Sequence, residues 1–299
     1  MMTRNPGFDM VLTVLVLCLF WMSPVAYAGP SAIVVAEGYS CMGVDKSRRD
    51  TEKEAKADAR RNAVENARTL IKSQTQVKDF QVEKDIVEAY AQANVTILEE
   101  LKEGAGWHRD ATSGDCYRYR IKAEVVPDEQ AMERIAEKSG IADDPAAPLH
   151  VRIWTDKKEY RKGDDIRIYL RGNRPFYARV LYKDAAGGIT QILPNPYRQE
   201  NYFQGGVVFE LPEGNKDRYR LEVAPPFGGE EVIVHASTAP LGVLDIEATG
   251  AVYGVKTHSR DMGIKSRGVQ IVVGGPSASG VKPQGAEFVE SRAALQTGK

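Results

Sequence analysis

The chain has little with which to do chemistry. Its 299 residues include three cysteines and four histidines, and the histidines, His108, His150, His235 and His258, stand far apart. Metal centres and histidine-based acid–base catalysis need such groups clustered. No Gly-x-Ser-x-Gly, His-Glu-x-x-His or Gly-x-x-x-x-Gly-Lys-Ser/Thr motif occurs. The pairs Gly205-Gly206, Gly228-Gly229 and Gly274-Gly275 lack the strand-to-helix setting of a dinucleotide site. Asp164 and Asp165 are adjacent, so on a strand they would face opposite ways; they read as turn residues. The sequence therefore predicts no catalytic residue, metal ligand or cofactor. Charge of one sign is also missing, with 40 basic against 41 acidic residues, which argues against a nucleic-acid partner.

Long apolar runs are confined to the start. Residues 10–22 form an apolar stretch of h-region length behind Arg4, and Ala26-Tyr27-Ala28 fits a small-x-small cleavage signal. Residues 1–28 thus read as a secretory signal peptide, with an uncleaved anchor as the alternative. Cys18 follows Leu17, where a lipobox wants a small residue, so no lipid anchor is expected. No later run is long enough to span a bilayer. The reading places the mature chain in the periplasm, free or associated with the outer membrane. Cleavage leaves Cys41 and Cys116, an even pair in an oxidising compartment, which argues for a disulfide. It would close a loop of about 75 residues, worth on the order of 4 kcal/mol. A metal or redox pair is the competing reading, without a Cys-x-x-Cys or neighbouring histidine to support it.

What is present divides the chain in two. In residues 29–140 a strand over 32–36 precedes a helix signal. Thr51 and Glu54 have capping-box spacing, and Ala55, Ala59, Ala63, Ala67, Leu70 and Ile71 recur at helical period. Their small side chains suit close packing on a sheet. A second helix is expected over 85–93 and a strand over 117–125. A closing helix runs from Asp128 to a stop at Gly140. After a proline-bearing linker at 141–149 the period falls to two. Short runs at 151–155, 165–170, 177–182, 189–193, 207–211, 219–223, 231–236 and 268–273 predict an antiparallel sandwich over 150–275. The hairpin turn is expected at 184–188. Residues 276–299 read as a C-terminal tail with a helix-like stretch at 287–295. Fold class is α+β: a small sheet under a dominant alanine-rich helix, followed by an antiparallel β-sandwich domain.

Two resemblances accompany this reading. Gly38, Met42-Gly43, the alanine-rich helix and Ser73-Gln74-Thr75-Gln76-Val77 resemble the N-terminal domain of the flagellar assembly protein FlgT and related small Gram-negative envelope lipoproteins. That implies an envelope assembly role and transfers no active-site residue. Lys158, Tyr160, Gly163-Asp164, Tyr182, Asp184, Gly187, Leu193-Pro194-Asn195, Leu211-Pro212 and residues 225–230 resemble, in order, a widespread bacterial domain of unknown function. It is found as an appendage on exported proteins, Ser/Thr kinases and caspase-like peptidases, which implies a binding module.

One loop is a candidate binding surface. Asn195 and Tyr197, with Tyr202 and Phe203 a few residues on, combine prolines and aromatics, a composition found in rigid binding loops. The competing reading packs Tyr197 and Phe203 under the loop. The expected function is a non-enzymatic envelope adaptor whose partner is an envelope protein or the cell wall. A periplasmic glycan or small-ligand receptor is the alternative, and a hydrolase with an unrecognised site is a third.

Overall fold

The computed structural model describes residues 29–44, 46–268 and 285–299. The expected signal peptide, Cys18, and the stretch 269–284, with most of the strand expected at 268–273, lie outside the described residues. Strand β1 (Ser31–Cys41) leads into helix α1 (Arg48–Gln74) and helix α2 (Phe80–Ala89). The hairpin β2 (Asn94–Asp110) and β3 (Gly114–Val126) follows, then α3 (Glu129–Ser139) and a 3-10 turn at Ile141–Asp143. The second half begins with β4 (Val151–Thr155), β5 (Glu159–Arg161), β6 (Ile168–Gly172), β7 (Phe176–Lys183), β8 (Ile189–Leu193), β9 (Tyr202–Phe203) and β10 (Phe209–Leu211). It ends with α4 (Gly214–Asp217), β11 (Gly229–Ser237), β12 (Ile246–Thr249), β13 (Val252–Val255), α5 (Ser259–Ser266) and β14 (Gly285–Gly298).

Among the described residues eleven strands make one large curled sheet whose main path runs β12-β13-β8-β7-β11-β14-β1-β3-β2. A three-stranded sheet, β10-β6-β4, packs on its second-half strands as a sandwich, with Ile153, Ile168 and Leu170 against Val180, Val232 and Val234. The α+β class and the sandwich follow the sequence reading.

The alanine stripe does what its spacing implies. Ala55, Ala59, Ala63 and Ala67 are all fully buried. Small residues let α1 lie so close to β1 that a Cβ at Gly38 would stand 2.0 Å from the Ala55 carbonyl oxygen. Between β1 and β14 the pairing ends at Val34 and Gly285. Beyond that point α1 supplies the partners. Asn66 Nδ2 donates to the Val35 carbonyl at 2.9 Å and Asn62 Nδ2 to the Glu37 carbonyl at 2.8 Å. Tyr39 N donates to Asp58 Oδ2 at 3.1 Å. Helical steps of four on α1 thus serve strand steps of two on β1, and satisfy an edge that would otherwise stay unpaired.

Helix α1 starts a turn earlier than Thr51. The cap is Ser47, whose hydroxyl accepts from Asp50 N at 3.2 Å. Thr51 is buried and donates to the Ser47 carbonyl at 3.0 Å. Cys41 and Cys116 face each other in the β1–β3 register and form the disulfide, with their Cα atoms 3.9 Å apart.

The C-terminal stretch corrects the reading most. Residues 287–295 are not helical; they belong to β14, which pairs with β1 on one side and β11 on the other. Glu, Ala, Arg, Leu and Gln favour helix locally, and pairing on both sides overrides that preference. This strand makes one sheet of the two halves. At the junction Glu287 is fully buried. Its carboxylate accepts from Leu149 N and from Arg174 Nη1, the latter at 3.3 Å. Asn173 fixes the expected linker, donating to the Asp144 and Pro148 carbonyls at 2.8 and 3.0 Å. The strand expected at 219–223 is reduced to one bridge, Asp165 to Glu222.

Candidate binding groove

A deep concavity lies between α2 and α3. Asp79 caps α2 by accepting from Gln81 N at 2.8 Å, and Asp128 caps α3 by accepting from Ala131 N at 2.6 Å. Gly140, with φ of 62°, ends α3 in the left-handed conformation that glycine adopts without penalty. Asp128 N donates to the Ala89 carbonyl at 3.0 Å, and Gln76 N to the Ala146 carbonyl at 2.9 Å. The end of α2 therefore meets the start of α3, the start of α2 lies beside the chain leaving α3, and the helices run antiparallel. Ile86 and Met132 seat the pair on the core. Above them the helices part and leave a groove of about 1150 Å³.

Its floor is apolar and mostly small, with Val82, Ala89, Ala131 and Ile135 among the lining residues. Its rim is charged and uneven. Asp85 and Glu88 are exposed on the C-terminal half of α2, Arg134 is exposed midway along α3, and Lys78 and Lys138 are exposed at the other end. Asp79, Asp128 and Asp144 also line it, each accepting from backbone amides. Phe80, the first residue of α2, is 77% exposed at the end that holds Lys78.

The aromatic loop divides. Asn195 is fully buried; its amide donates to Asp217 Oδ1 at 2.9 Å, and its carbonyl accepts from Tyr197 N and Arg198 N at 2.9 and 2.8 Å. Arg198 pairs with buried Asp217 at 3.3 Å. Asn195 thus holds the loop in shape from beneath and has no surface to offer. Phe203 is core, against Phe176 and Phe209. Tyr197 stays exposed, with the Arg218 guanidinium 5.0 Å from its ring centre. Tyr202 is also exposed and contacts Tyr177. The structure joins Asn195 to Tyr197 and separates both exposed tyrosines from Phe203.

Ionisable groups are buried on the opposite face of the large sheet, under residues 238–268. His235 lies 3.4 Å from Glu290. Burial holds the imidazole below its ordinary pKa, and the bond it donates holds Glu290 down to about 2. Arg179, lowered by burial to about 10, donates to the Gly242 carbonyl at 2.7 Å. Arg267 pairs with Glu124 at 2.7 Å. These contacts bind the covering segment to the sheet. Among the described residues no three His, Cys, Asp or Glu side chains gather in a metal-binding arrangement, and no helix is long and apolar enough to cross a membrane.

Comparison with known proteins reaches one part of the chain. A family model described as a domain of unknown function (DUF4384) matches residues 159–240. That span covers the strands from β5 to β11, including the aromatic loop, and excludes the groove. No curated protein and no solved structure matches.

The sequence reading missed the groove. Helix α2 was expected at 85–93 and begins at Phe80. The sequence reading assigned no role to Asp85 or Glu88. The available signal was Asp79, an N-cap residue type followed by a helical apolar pattern.

Proposed function

We propose that the protein is an exported, non-enzymatic envelope adaptor whose α2–α3 groove receives a segment of a partner protein. The groove itself carries this reading. Its volume, about 1150 Å³, lies above the range of about 300–1000 Å³ usual for small-ligand sites. It is an open trough between two helices, the shape in which peptide segments dock. The resemblance of the first half to the FlgT N-terminal domain and related envelope lipoproteins agrees with an assembly role. The DUF4384 match agrees with the second resemblance, which implies an appended binding module, and the signal-peptide reading of residues 1–28 supports action in the periplasm.

The test is photocrosslinking in living cells from a reactive residue at position 88, with position 152 on the three-stranded sheet as control. One envelope protein crosslinked from position 88 and not from 152 is the expected result. No crosslink at 88, or the same bystanders at both positions, would overturn the reading. A second reading, a glycan receptor, is favoured by the exposed Tyr197 and Tyr202. It expects wall fragments to raise the melting temperature of the protein and Tyr197→Ala to abolish that rise.

A further inference from the structure

We infer that the groove is built for an amphipathic helix of about three turns that carries basic residues at one end. The inference rests on the adaptor reading and deepens it by naming the chemistry of the partner segment. Helix α2 has 10 residues and α3 has 11, about 15 Å of axis at 1.5 Å per residue. An occupant lying along them spans about ten to twelve residues. Ala89 and Ala131 line the groove at the end where α2 meets α3. Such small residues let a third backbone come close and leave room for its larger apolar side chains.

The rim selects charge and direction. Carboxylates keep their charge when they accept from amides, so Asp79 and Asp144 balance Lys78 and Lys138 at one end, while Asp85, Glu88 and Asp128 outnumber Arg134, midway along α3, toward the other. Asp85 accepts from a neighbouring amide, Gln81 Nε2 at 2.6 Å, a neutral donor that leaves its charge in place. Lysine or arginine on the occupant meets Asp85 and Glu88, and a neutral end meets the balanced charges at Lys78 and Lys138. A segment laid in reverse would leave the excess carboxylates unanswered. Rim charges of this kind set register and partner choice more than total affinity.

The experiment selects from a displayed library of random peptides of about twelve residues, using the full mature protein. Enriched peptides are expected to hold apolar residues three and four apart and to cluster Lys or Arg at one end. Asp85→Lys with Glu88→Lys should weaken them about tenfold, and raised salt should do the same in part. Ala131→Arg, which fills the groove floor, should abolish binding; the two lysine variants lie on exposed helix positions and give a check independent of it. Neutral or acidic consensus peptides, no enrichment, or binding indifferent to all three substitutions would overturn the inference. So would self-association of the chain through this face. A partner crosslinked from position 88 that presents no basic helical segment would defeat this inference and leave the adaptor reading standing.

Discussion

The two halves of the molecule hold their shape by different means. In the first, α1 lies on β1 through alanines, a glycine and three side-chain bonds to the strand backbone. That contact needs no fully buried charge. In the second, the loop between β8 and β9 is shaped by Asn195, Arg198 and Asp217, polar groups removed from water and bonded to one another. Close packing of small residues tolerates no added volume, whereas a buried ion pair tolerates no lost partner. The same size of substitution should therefore damage the two halves for opposite reasons.

The largest effect is expected at Asp217. Its carboxylate is fully buried and receives Asn195, Arg198 and the Glu213 amide. Asp217→Ala leaves all three short of a partner and should cost about 3 kcal/mol, the low end for breaking a buried pair, because Glu213 still holds Arg198 at 3.1 Å. Urea unfolding measures this, and a loss below about 1 kcal/mol would show that the loop is held by its aromatic packing instead. Next comes Gly38→Ala. One methyl group placed 2.0 Å from the Ala55 carbonyl oxygen must push α1 off the sheet, at about 2 kcal/mol. An unchanged midpoint would mean that the helix rides on β1 more loosely than its spacing implies. Smaller again is Asn62→Ala, which leaves the exposed edge of β1 to water and should cost about 1 kcal/mol. Faster hydrogen exchange is expected at residues 35–39, with no change at 31–34, where β14 supplies the pairing.

These contrasts also explain what could be read from the sequence. The alanine stripe of α1, the Asp128 cap with its Gly140 stop, and the hairpin turn at 184–188 are local signals, and each appears in the structure. Tyr202 and Phe203 read as loop residues, and the structure makes them strand β9, where neighbours face opposite sides, one exposed and one in the core. Residues 287–295 were illegible because their strand state comes from β1 and β11, which lie far away in sequence. The groove was illegible for the same reason. Asp85 and Glu88 look like any solvated helix face until α3, which follows only after the β2–β3 hairpin, is laid beside them.

The finest test sits where the halves join, and it is a change of slope with pH. Glu287 is buried at the meeting of β14, the linker and the β6–β7 turn, and burial raises its pKa above the ordinary carboxylate value, against the opposing pull of Arg174 and the Leu149 amide. A folded-state value above the unfolded one means that the native protein binds this proton more tightly. The contribution is therefore fully present below the unfolded value of 4.5 and is lost as pH rises through the folded one. Carboxylates held low, such as Glu290 at about 2, act in the opposite sense, with stability lost as pH falls toward that value. The two senses are separated by Glu287→Gln, which keeps an acceptor for Leu149 and removes the titration. Subtracting its unfolding free energy from that of the parent across pH 4 to 8 should give a difference that declines with rising pH. A flat difference would mean that Arg174 fully offsets the burial, and that the junction is as well satisfied in its charged form as the packing of α1 is without any charge.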